Sequence, residues 1–265
     1  MTTKAGLLGP VTALAWREIV RFLRERHRVF GALAQPLLTW ALLAAGLRGS
    51  FRLPSAPDGM SYGTYFFPGT LALIVLFTAI FSTISLIEDR REGFLQGVIA
   101  APIPRASIAA GKVLGGASLA FAQAILVLPL APIAGIRLTP SMVLAVVPVI
   151  AWTAVTLTAF SFCIAWRMES TQGFHAIMTV VLMPLWLLSG ALFPASGAAP
   201  WLRVVMAINP LTYGVAILRR GFDAGSTAAV AGLPGILPSW AVMIAFGMVS
   251  CGLAAILARS PGRNP

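Results

Sequence analysis

Long apolar runs separated by short polar stretches dominate the chain. Six runs approach the roughly 20 residues that a helix needs to cross a bilayer, and they cover residues 29–47, 66–87, 113–135, 142–165, 174–193 and 240–258. Backbone amides in lipid must be hydrogen-bonded within their own segment, so each run is predicted to be a helix. The pattern therefore predicts an all-α, polytopic integral membrane protein with a single transmembrane domain over residues 1–265.

Composition supports this prediction. Of the 265 residues, 58% are hydrophobic and only 10% are charged, against about 25% charged residues in soluble proteins. A water-soluble fold of this size cannot bury that much apolar surface. The two cysteines, Cys163 and Cys251, lie within apolar runs and at no metal-binding spacing. We therefore expect buried free thiols and no metal site.

The distribution of positive charge predicts the orientation. Basic residues outnumber acidic ones by 19 to 8, and they flank the apolar runs, which indicates topology rather than binding of nucleic acid. If both termini are cytoplasmic, 13 of the basic residues lie inside and 6 lie outside. The positive-inside rule therefore predicts a multi-pass protein of the cell (inner) membrane with both termini in the cytoplasm.

An amphipathic segment, residues 11–30, precedes and enters the first apolar run. Its basic face has helical spacing and consists of Arg17, Arg21, Arg24 and Arg28, whereas Trp16 lies on the apolar face. This pattern predicts a helix in the cytoplasmic membrane interface, with its arginines near anionic lipid headgroups. The alternative is a charge cluster that only fixes the topology.

The loop at residues 88–112 combines charges with an apolar helical turn. It reads EDRREGFLQGVIAAPIPRASIAAGK, and a short helix over residues 91–99 is predicted to end before Pro102. Its apolar face would consist of Phe94, Leu95, Val98 and Ile99. A cytoplasmic loop of this kind suits docking onto another protein, and a solvated loop without a partner is the alternative.

The segment between the fifth and sixth runs, residues 194–239, is too polar and too broken to span a membrane. Asn209 and Pro210 interrupt it, while Trp201 and Tyr213 suit the level of the lipid headgroups. Irregular backbone at membrane depth needs protein or a cavity beside it. We therefore predict two short re-entrant helices on the outer side, with a turn at Asn209-Pro210.

Patterns for catalysis and for ATP binding are missing from the sequence. None of the six runs contains Asp or Glu in its interior, which argues against an ion-driven carrier. Gly111-Lys112 is followed by Val113, and Ala106 stands where a phosphate-binding loop needs glycine. The chain is therefore predicted not to be an enzyme and to bind no cofactor.

Gly111 and Gly115 match the GxxxG pattern of closely packed membrane helices. Among 25 glycines such a match is expected by chance, so it predicts no particular helix contact.

Two stretches of the chain carry distinctive motifs. The first stretch runs LSGALFP over residues 188–194 and continues with PWL at 200–202, NPLTY at 209–213 and Arg219. The second is REG at 91–93, followed by Ala101, Pro102 and Arg105. In these stretches the chain resembles the membrane subunits of ABC-2 type ABC transporters, the exporter permeases for drugs, lipids and polysaccharides. Phe94 and Gln96 depart from the family, which often has a small hydroxylated residue and a second acid there.

The resemblance implies a permease that depends on a separate ATP-binding subunit. Two copies of that subunit would bind ATP and Mg²⁺, and the permease would pair with a second copy of itself or with a homologous permease. The cargo would be an amphipathic drug, lipid or glycan moved out of the cytoplasm. The implied site coupling the permease to the ATP-binding subunit comprises Glu92, Gly93, Phe94, Leu95, Pro102 and Arg105. The implied outer re-entrant motif comprises Gly190, Phe193, Pro194, Trp201, Asn209, Pro210, Tyr213 and Arg219.

Functions of other classes are also compatible with the residues. Arg203, Arg219 and Arg220 in the outer segment are of the type that binds phosphate. The first alternative is therefore an integral membrane enzyme that acts on lipid-linked phosphate substrates, although no cluster of carboxylates or histidines supplies its general base. A membrane scaffold or immunity factor without transport activity is a third reading.

Overall fold

The computed structural model describes residues 8–48, 50–51, 60–222 and 229–259. Within these residues the chain forms ten α-helices and no β-strand. The helices are α1 (Leu8–Arg24), α2 (Arg26–Gly46), α3 (Tyr62–Arg91), α4 (Phe94–Ala100), α5 (Ala106–Val127), α6 (Pro140–Ala165), α7 (Thr171–Trp186), α8 (Pro200–Ile208), α9 (Pro210–Phe222) and α10 (Ile236–Arg259).

Six helical stretches are long and apolar enough to cross a membrane: α2, α3, α5 with the 3₁₀ turn to Leu130, α6, α7 with the π-helical turn to Ala191, and α10. The predicted all-α, polytopic membrane fold is thereby confirmed. Some helices extend beyond the ends of the apolar runs, since α3 continues to Arg91 and α5 begins at Ala106. Residues 88–91 and 106–112, predicted to belong to a loop, are therefore helical, and Glu88 and Asp89 lie in the last turns of α3.

α3 is the central helix of the bundle. It contacts α2, α5, α6, α7 and α9, and nearly every side chain between Tyr62 and Ile87 is buried. A helix that is apolar on all sides suits such a position, because every face meets a neighbour. The charged residues of α3 all lie in its last turn, Glu88–Arg91, where Asp89 meets α1 and α5.

The alternating direction of the spanning helices gives the bundle two ends. α1, α4 and the C-termini of α3, α6 and α10 lie at one end, which we call the α4 end. α8, α9 and a π-helical turn at Leu187–Ala191 lie at the other, which we call the α8 end.

The N-terminal amphipathic segment forms two helices and not the single helix predicted over residues 11–30. α1 ends at Arg24, and Glu25 (φ −89°, ψ 72°) turns the chain into α2, which begins at Arg26. Residues 26–30 therefore belong to the first spanning helix. The reason is local, because Glu25 leaves the helical region and breaks the regular hydrogen-bond ladder at this point.

α1 packs closely against α5 through two glycines. A Cβ atom added at Gly111 would stand 2.6 Å from the Cβ of Leu14, and one added at Gly115 would stand 2.8 Å from the Cβ of Glu18. Side chains larger than hydrogen would push the two helices apart. The interpretation of the GxxxG match as chance is therefore wrong, because Gly111 and Gly115 form the packing site of α1.

Candidate functional site

α4 begins at a turn that favours glycine. Gly93 precedes the helix with φ 78°, a left-handed conformation that other residues rarely adopt. Leu95 is buried against the core, whereas Phe94 and Gln96 are exposed. Pro102 disfavours a helical conformation at Ala101, and the helix ends at Ala100. The short helix predicted over residues 91–99 thus lies at Phe94–Ala100.

Arg17 of α1 connects α4 to the bundle. Its guanidinium carbon lies 3.6 Å from the ring centroid of Phe94, in cation–π geometry. Its two terminal nitrogens donate to the two oxygens of Asp89 at 2.9 and 2.7 Å. Glu92, between α3 and α4, is 62% exposed, and its carboxylate lies 3.7 Å from the guanidinium of Arg21.

A buried charge cluster joins α1, α3 and α5. Its members are Arg17, Glu18, Arg21, Glu88, Asp89 and Lys112. Asp89 is fully buried, and each of its oxygens accepts two hydrogen bonds, from Arg17 and Arg21 at Oδ1 and from Arg17 and Lys112 at Oδ2. Lys112 also donates to Glu18 at 2.8 Å and to Ser85 at 3.2 Å. Arg28 continues the network by binding Glu88 and Glu25, so cations and carboxylates are paired throughout, as burial of charge requires.

The basic face predicted to meet lipid headgroups is mostly turned toward the protein, so that prediction is wrong for three of its four arginines. Arg17 and Arg21 bind Asp89, and Arg21 and Arg28 bind Glu88. Burial alone lowers the pKa of Arg21, but the carboxylates of Asp89 and Glu88 outweigh it, and the pKa lies above its ordinary value. Arg24 is exposed.

Two further arginines bind the ends of neighbouring helices. Arg90 donates to the carbonyl oxygens of Trp166 and Met168 at 2.5 and 2.9 Å, where α6 ends. Arg105 donates to the carbonyl oxygen of Arg259, at the end of α10, at 3.1 Å. Sequence reasoning selected Arg105 and missed Arg90, because nothing in the sequence separates Arg90 from the adjacent, exposed Arg91.

At the α8 end, α8 and α9 meet at an angle of 90°. Asn209 is buried between them, where its Oδ1 accepts from the backbone N–H of Leu211 at 2.9 Å and its amide donates to the carbonyl of Leu185 at 2.5 Å. Pro210 opens α9, a position where a missing N–H costs no hydrogen bond. This arrangement confirms the turn predicted at Asn209-Pro210. The hydroxyl of Tyr213 donates across the bend to the carbonyl of Ala207 at 2.7 Å.

Arg219 of α9 is buried beside Tyr65 of α3, and only 2% of it is exposed. Its guanidinium carbon lies 3.8 Å from the Tyr65 ring centroid. One terminal nitrogen donates to the Tyr65 hydroxyl at 2.6 Å and to the carbonyl of Ala229 at 3.2 Å, and the other reaches the carbonyl of Ala191 at 3.4 Å. Arg219 therefore does not offer its guanidinium to a phosphate, as the alternative of a membrane enzyme would require, because the protein itself encloses it. Arg203, by contrast, is exposed on α8.

The turn after α7 carries the remaining residues of the motif that the resemblance implies. Gly190 has φ 77°, and its carbonyl accepts from the Tyr65 hydroxyl at 3.1 Å. Pro194 opens a 3₁₀ turn over Ala195–Gly197, and Phe193 packs against a small cluster formed with α8 and α9. Gly190, Asn209 and Arg219 thus lie around the junction of α3, α7 and α9, whereas Trp201 is exposed.

A family model described as ABC-2 type transporter matches residues 10–222 of the chain. The chain belongs to the ABC-2 type transporter family. The matched residues of this ABC-2 chain extend from α1 through the charge cluster and α4 to the end of α9. The resemblance seen in the sequence is thereby confirmed.

Named relatives cover most of this ABC-2 chain. A putative transport permease, ycf38, of Cyanophora paradoxa is 28% identical over 210 residues, which are 78% of this chain and 71% of the relative. Nodulation protein J of Rhizobium meliloti (strain 1021) is 24% identical over 208 residues, 78% and 76% of the two chains. The probable doxorubicin resistance ABC transporter permease protein DrrC of Mycobacterium tuberculosis (strain CDC 1551 / Oshkosh) is 27% identical over 221 residues, which are 79% of this chain and 75% of the relative. With these relatives and its six spanning helices, the chain is a multi-pass transporter permease.

Proposed function

We propose that this ABC-2 permease is the membrane subunit of an ATP-driven exporter, powered by a separate ATP-binding subunit. The position of α4 carries the proposal, because this short helix exposes Phe94 and Gln96 while Arg17 connects it to Asp89. Membership of the family supports association with an ABC ATP-binding subunit. Two such subunits, which hold ATP and Mg²⁺, would work with two copies of this chain or with this chain and a homologous permease.

An apolar groove between α1 and α4 supports docking of the ATP-binding subunit at this end. Its walls consist of Gly9, Pro10, Ala13, Leu14, Phe94, Gly97, Val98, Ala101 and Ile103. A Cβ added at Gly97 would meet no atom within 4 Å, so space remains above this face of α4. Two helices with small and apolar walls accept a third helix between them. We assign this groove to the ATP-binding subunit, with the exposed carboxylate of Glu92 close to its rim.

The contacts of α4 suggest how movement would spread from the groove between α1 and α4 to the rest of the bundle. Closure of the ATP-bound subunits would displace α4, and Arg17 would carry α1 and α3 with it through Asp89. Arg90 would extend the movement to α6, and Arg105 would extend it to α10. In this proposal the spanning helices then alternate between inward-facing and outward-facing arrangements.

In the same proposal the α4 end is cytoplasmic, and both termini lie inside the cell (inner) membrane. The excess of 13 basic residues inside over 6 outside supports this orientation. The cargo would be an amphipathic drug, lipid or glycan, exported through a path between two permeases. One relative is named for doxorubicin resistance, which supports a drug among these classes.

Site-specific photocrosslinking tests the docking surface. The tagged permease is purified from its host in mild detergent, an ATP-binding subunit is identified by mass spectrometry, and the two are co-expressed. A photocrosslinking residue at Gln96, exposed on α4, should capture the ATP-binding subunit, whereas one at Arg203, exposed on α8, is the matched control and should not. Equal capture at both positions, or a permease that purifies alone under every mild condition, contradicts the proposal.

Transport measurements in reconstituted vesicles test coupling. Glu92→Arg reverses the charge at the rim of the groove, and Leu95→Pro removes a buried side chain and disfavours the helical conformation of Phe94. Both variants should leave hydrolysis of ATP by the partner while reducing transport of the cargo, because α4 no longer meets its partner correctly. Unchanged transport in both variants contradicts the assignment of α4.

A further inference from the structure

Two arginines at the elbow between α1 and α2 lack an acidic partner. The neighbouring Arg21 and Arg28 bind Glu88 and Glu25. Arg24 and Arg26 are exposed, and in the part of the chain that the structure describes neither guanidinium has a carboxylate within 4.0 Å. Their charge is therefore directed to the surroundings of the bundle.

Exposed apolar side chains surround these two arginines. Trp16 is 67% exposed, Leu23 is 56% exposed and Phe30 is 75% exposed. Trp16, Val20 and Arg24 line one groove beside α1, and Phe30 follows Arg26 by one turn of α2. Large apolar side chains next to cations suit the membrane interface, where the apolar groups enter the acyl region and the cations stay at the headgroups.

We propose that this elbow patch, formed by Trp16, Val20, Leu23, Arg24, Arg26 and Phe30, binds the headgroup of an anionic phospholipid. Charge decides the occupant, because two free guanidinium groups complement the phosphate of a lipid without a compensating amine. Glu25 lies between them in sequence, but its carboxylate is bound by Arg28 at 2.5 Å and lies 3.6 Å from Arg21. Glu92, which lines the same groove, lies 3.7 Å from Arg21. Two unpaired arginines against this one exposed carboxylate leave the outward charge of the patch positive.

The position of the patch along the fold supports the same occupant. α2 is the first spanning helix and begins at Arg26, so both arginines lie where the chain enters the bilayer. A lipid bound there would hold α1 against the membrane on one side, while the charge cluster holds it against the bundle on the other. The proposal requires no ATP-binding subunit and stands independently of the proposed transport function.

Quenching of tryptophan fluorescence by brominated lipids tests the patch. The full-length permease is reconstituted in phosphatidylcholine nanodiscs that contain a minor fraction of brominated phosphatidylglycerol or brominated phosphatidylcholine. The contribution of Trp16 is obtained by difference from Trp16→Phe. Brominated phosphatidylglycerol should quench Trp16 more strongly, and each arginine should raise the local preference for it by about fivefold. The preference should weaken as salt is added.

Charge-removing variants show whether the two arginines are responsible. Arg24→Gln with Arg26→Gln should abolish the preference, whereas Arg24→Lys with Arg26→Lys should keep most of it. Arg203→Gln removes an exposed arginine two positions from exposed Trp201 on α8, and it is the control that should leave the preference at Trp16 unchanged. Equal quenching by the two lipids in the unmodified chain, or a preference that survives the double glutamine variant, overturns the proposal.

Discussion

The guanidinium of Arg17 stacks on the ring of Phe94, with 3.6 Å between its central carbon and the ring centroid. The same guanidinium holds Asp89 with both terminal nitrogens. One side chain of α1 therefore contacts the first residue of α4 and the end of the central helix α3 at once. A displacement of α4 has to move Arg17 or break its contact with Phe94, which makes this pair a direct side-chain connection between α4 and α1.

Arg17→Lys should loosen α4 without removing charge. Lysine keeps the cation but loses the planar group that stacks on Phe94 and binds Asp89 with two parallel hydrogen bonds. We expect a loss of about 1–2 kcal/mol in stability and greater mobility of a spin label at Gln96. Arg24→Lys, at an exposed arginine of the same helix, should change neither quantity. Equal effects of the two variants would show that stacking on Phe94 does not hold α4.

Asp89→Asn should be among the most destabilising substitutions at the α4 end. Asp89 is fully buried and accepts hydrogen bonds from Arg17, Arg21 and Lys112, so its neutralisation leaves buried cations without compensation. Breaking a buried ionic group in this way costs about 3–5 kcal/mol. The loss should appear as a lower midpoint of thermal unfolding in detergent. Glu92→Gln, at a carboxylate that is 62% exposed, should shift the midpoint little.

The parts of the structure that could be predicted from the sequence are determined by residues that are close together in the chain. The apolar runs predict six spanning helices because each helix satisfies its own backbone. Asn209-Pro210 predicts the bend because the asparagine caps its own turn, as its bond to Leu211 shows. The turn at Gly93 and the end of α4 before Pro102 likewise depend only on the residues at those positions.

The charge cluster could not be predicted, because its partners are distant in the chain. Arg17 and Asp89 are 72 positions apart, and Arg28 and Glu88 are 60 positions apart. The sequence pattern predicts a basic face on α1. Only the fold shows that Arg17 and Arg21 on this face bind carboxylates of α3. Arg219 illustrates the same limit, since an arginine in a polar segment gives no sign that Tyr65 and backbone carbonyls enclose it.

Gly111→Ala should displace α1 from α5. The added Cβ would stand 2.6 Å from the Cβ of Leu14 and 3.1 Å from the carbonyl oxygen of Val11, so one of the helices must move. Overpacking of this kind costs about 1–3 kcal/mol. We expect faster tryptic cleavage after Arg24 and Arg26 as α1 detaches. Gly252→Ala, on α10 with no atom within 4 Å of the added Cβ, is the matched control and should leave cleavage unchanged.

Arg219→Gln should destabilise the junction at the α8 end. Arg219 bonds to Tyr65, Ala191 and Ala229, and therefore joins α9 to α3 and to the segments on either side of the α8–α9 pair. Hydrogen bonds to a charged group contribute about 1.5–3 kcal/mol, and the loss should fall in or above that range. Tyr65→Phe, which removes only the hydroxyl, should cost less. If exposed Arg203→Gln lowers the unfolding midpoint as much as Arg219→Gln, the enclosed guanidinium is not what holds this end together.

Arg90→Gln should separate the movement of α4 from that of α7, given the proposed coupling. Arg90 lies in the last turn of α3, directly before α4, and its bonds to Trp166 and Met168 fasten α3 to the turn between α6 and α7. In the complex with the ATP-binding subunit, spin labels at Gln96 and Gln172 should keep their distance when ATP binds, because both helix ends move together. Arg90→Gln should make that distance change on ATP binding, and Arg91→Gln, at the exposed neighbour, should not. A distance that stays constant in Arg90→Gln, while crosslinking at Gln96 still shows the docked subunit, would mean that Arg90 only caps α6 and transmits no movement.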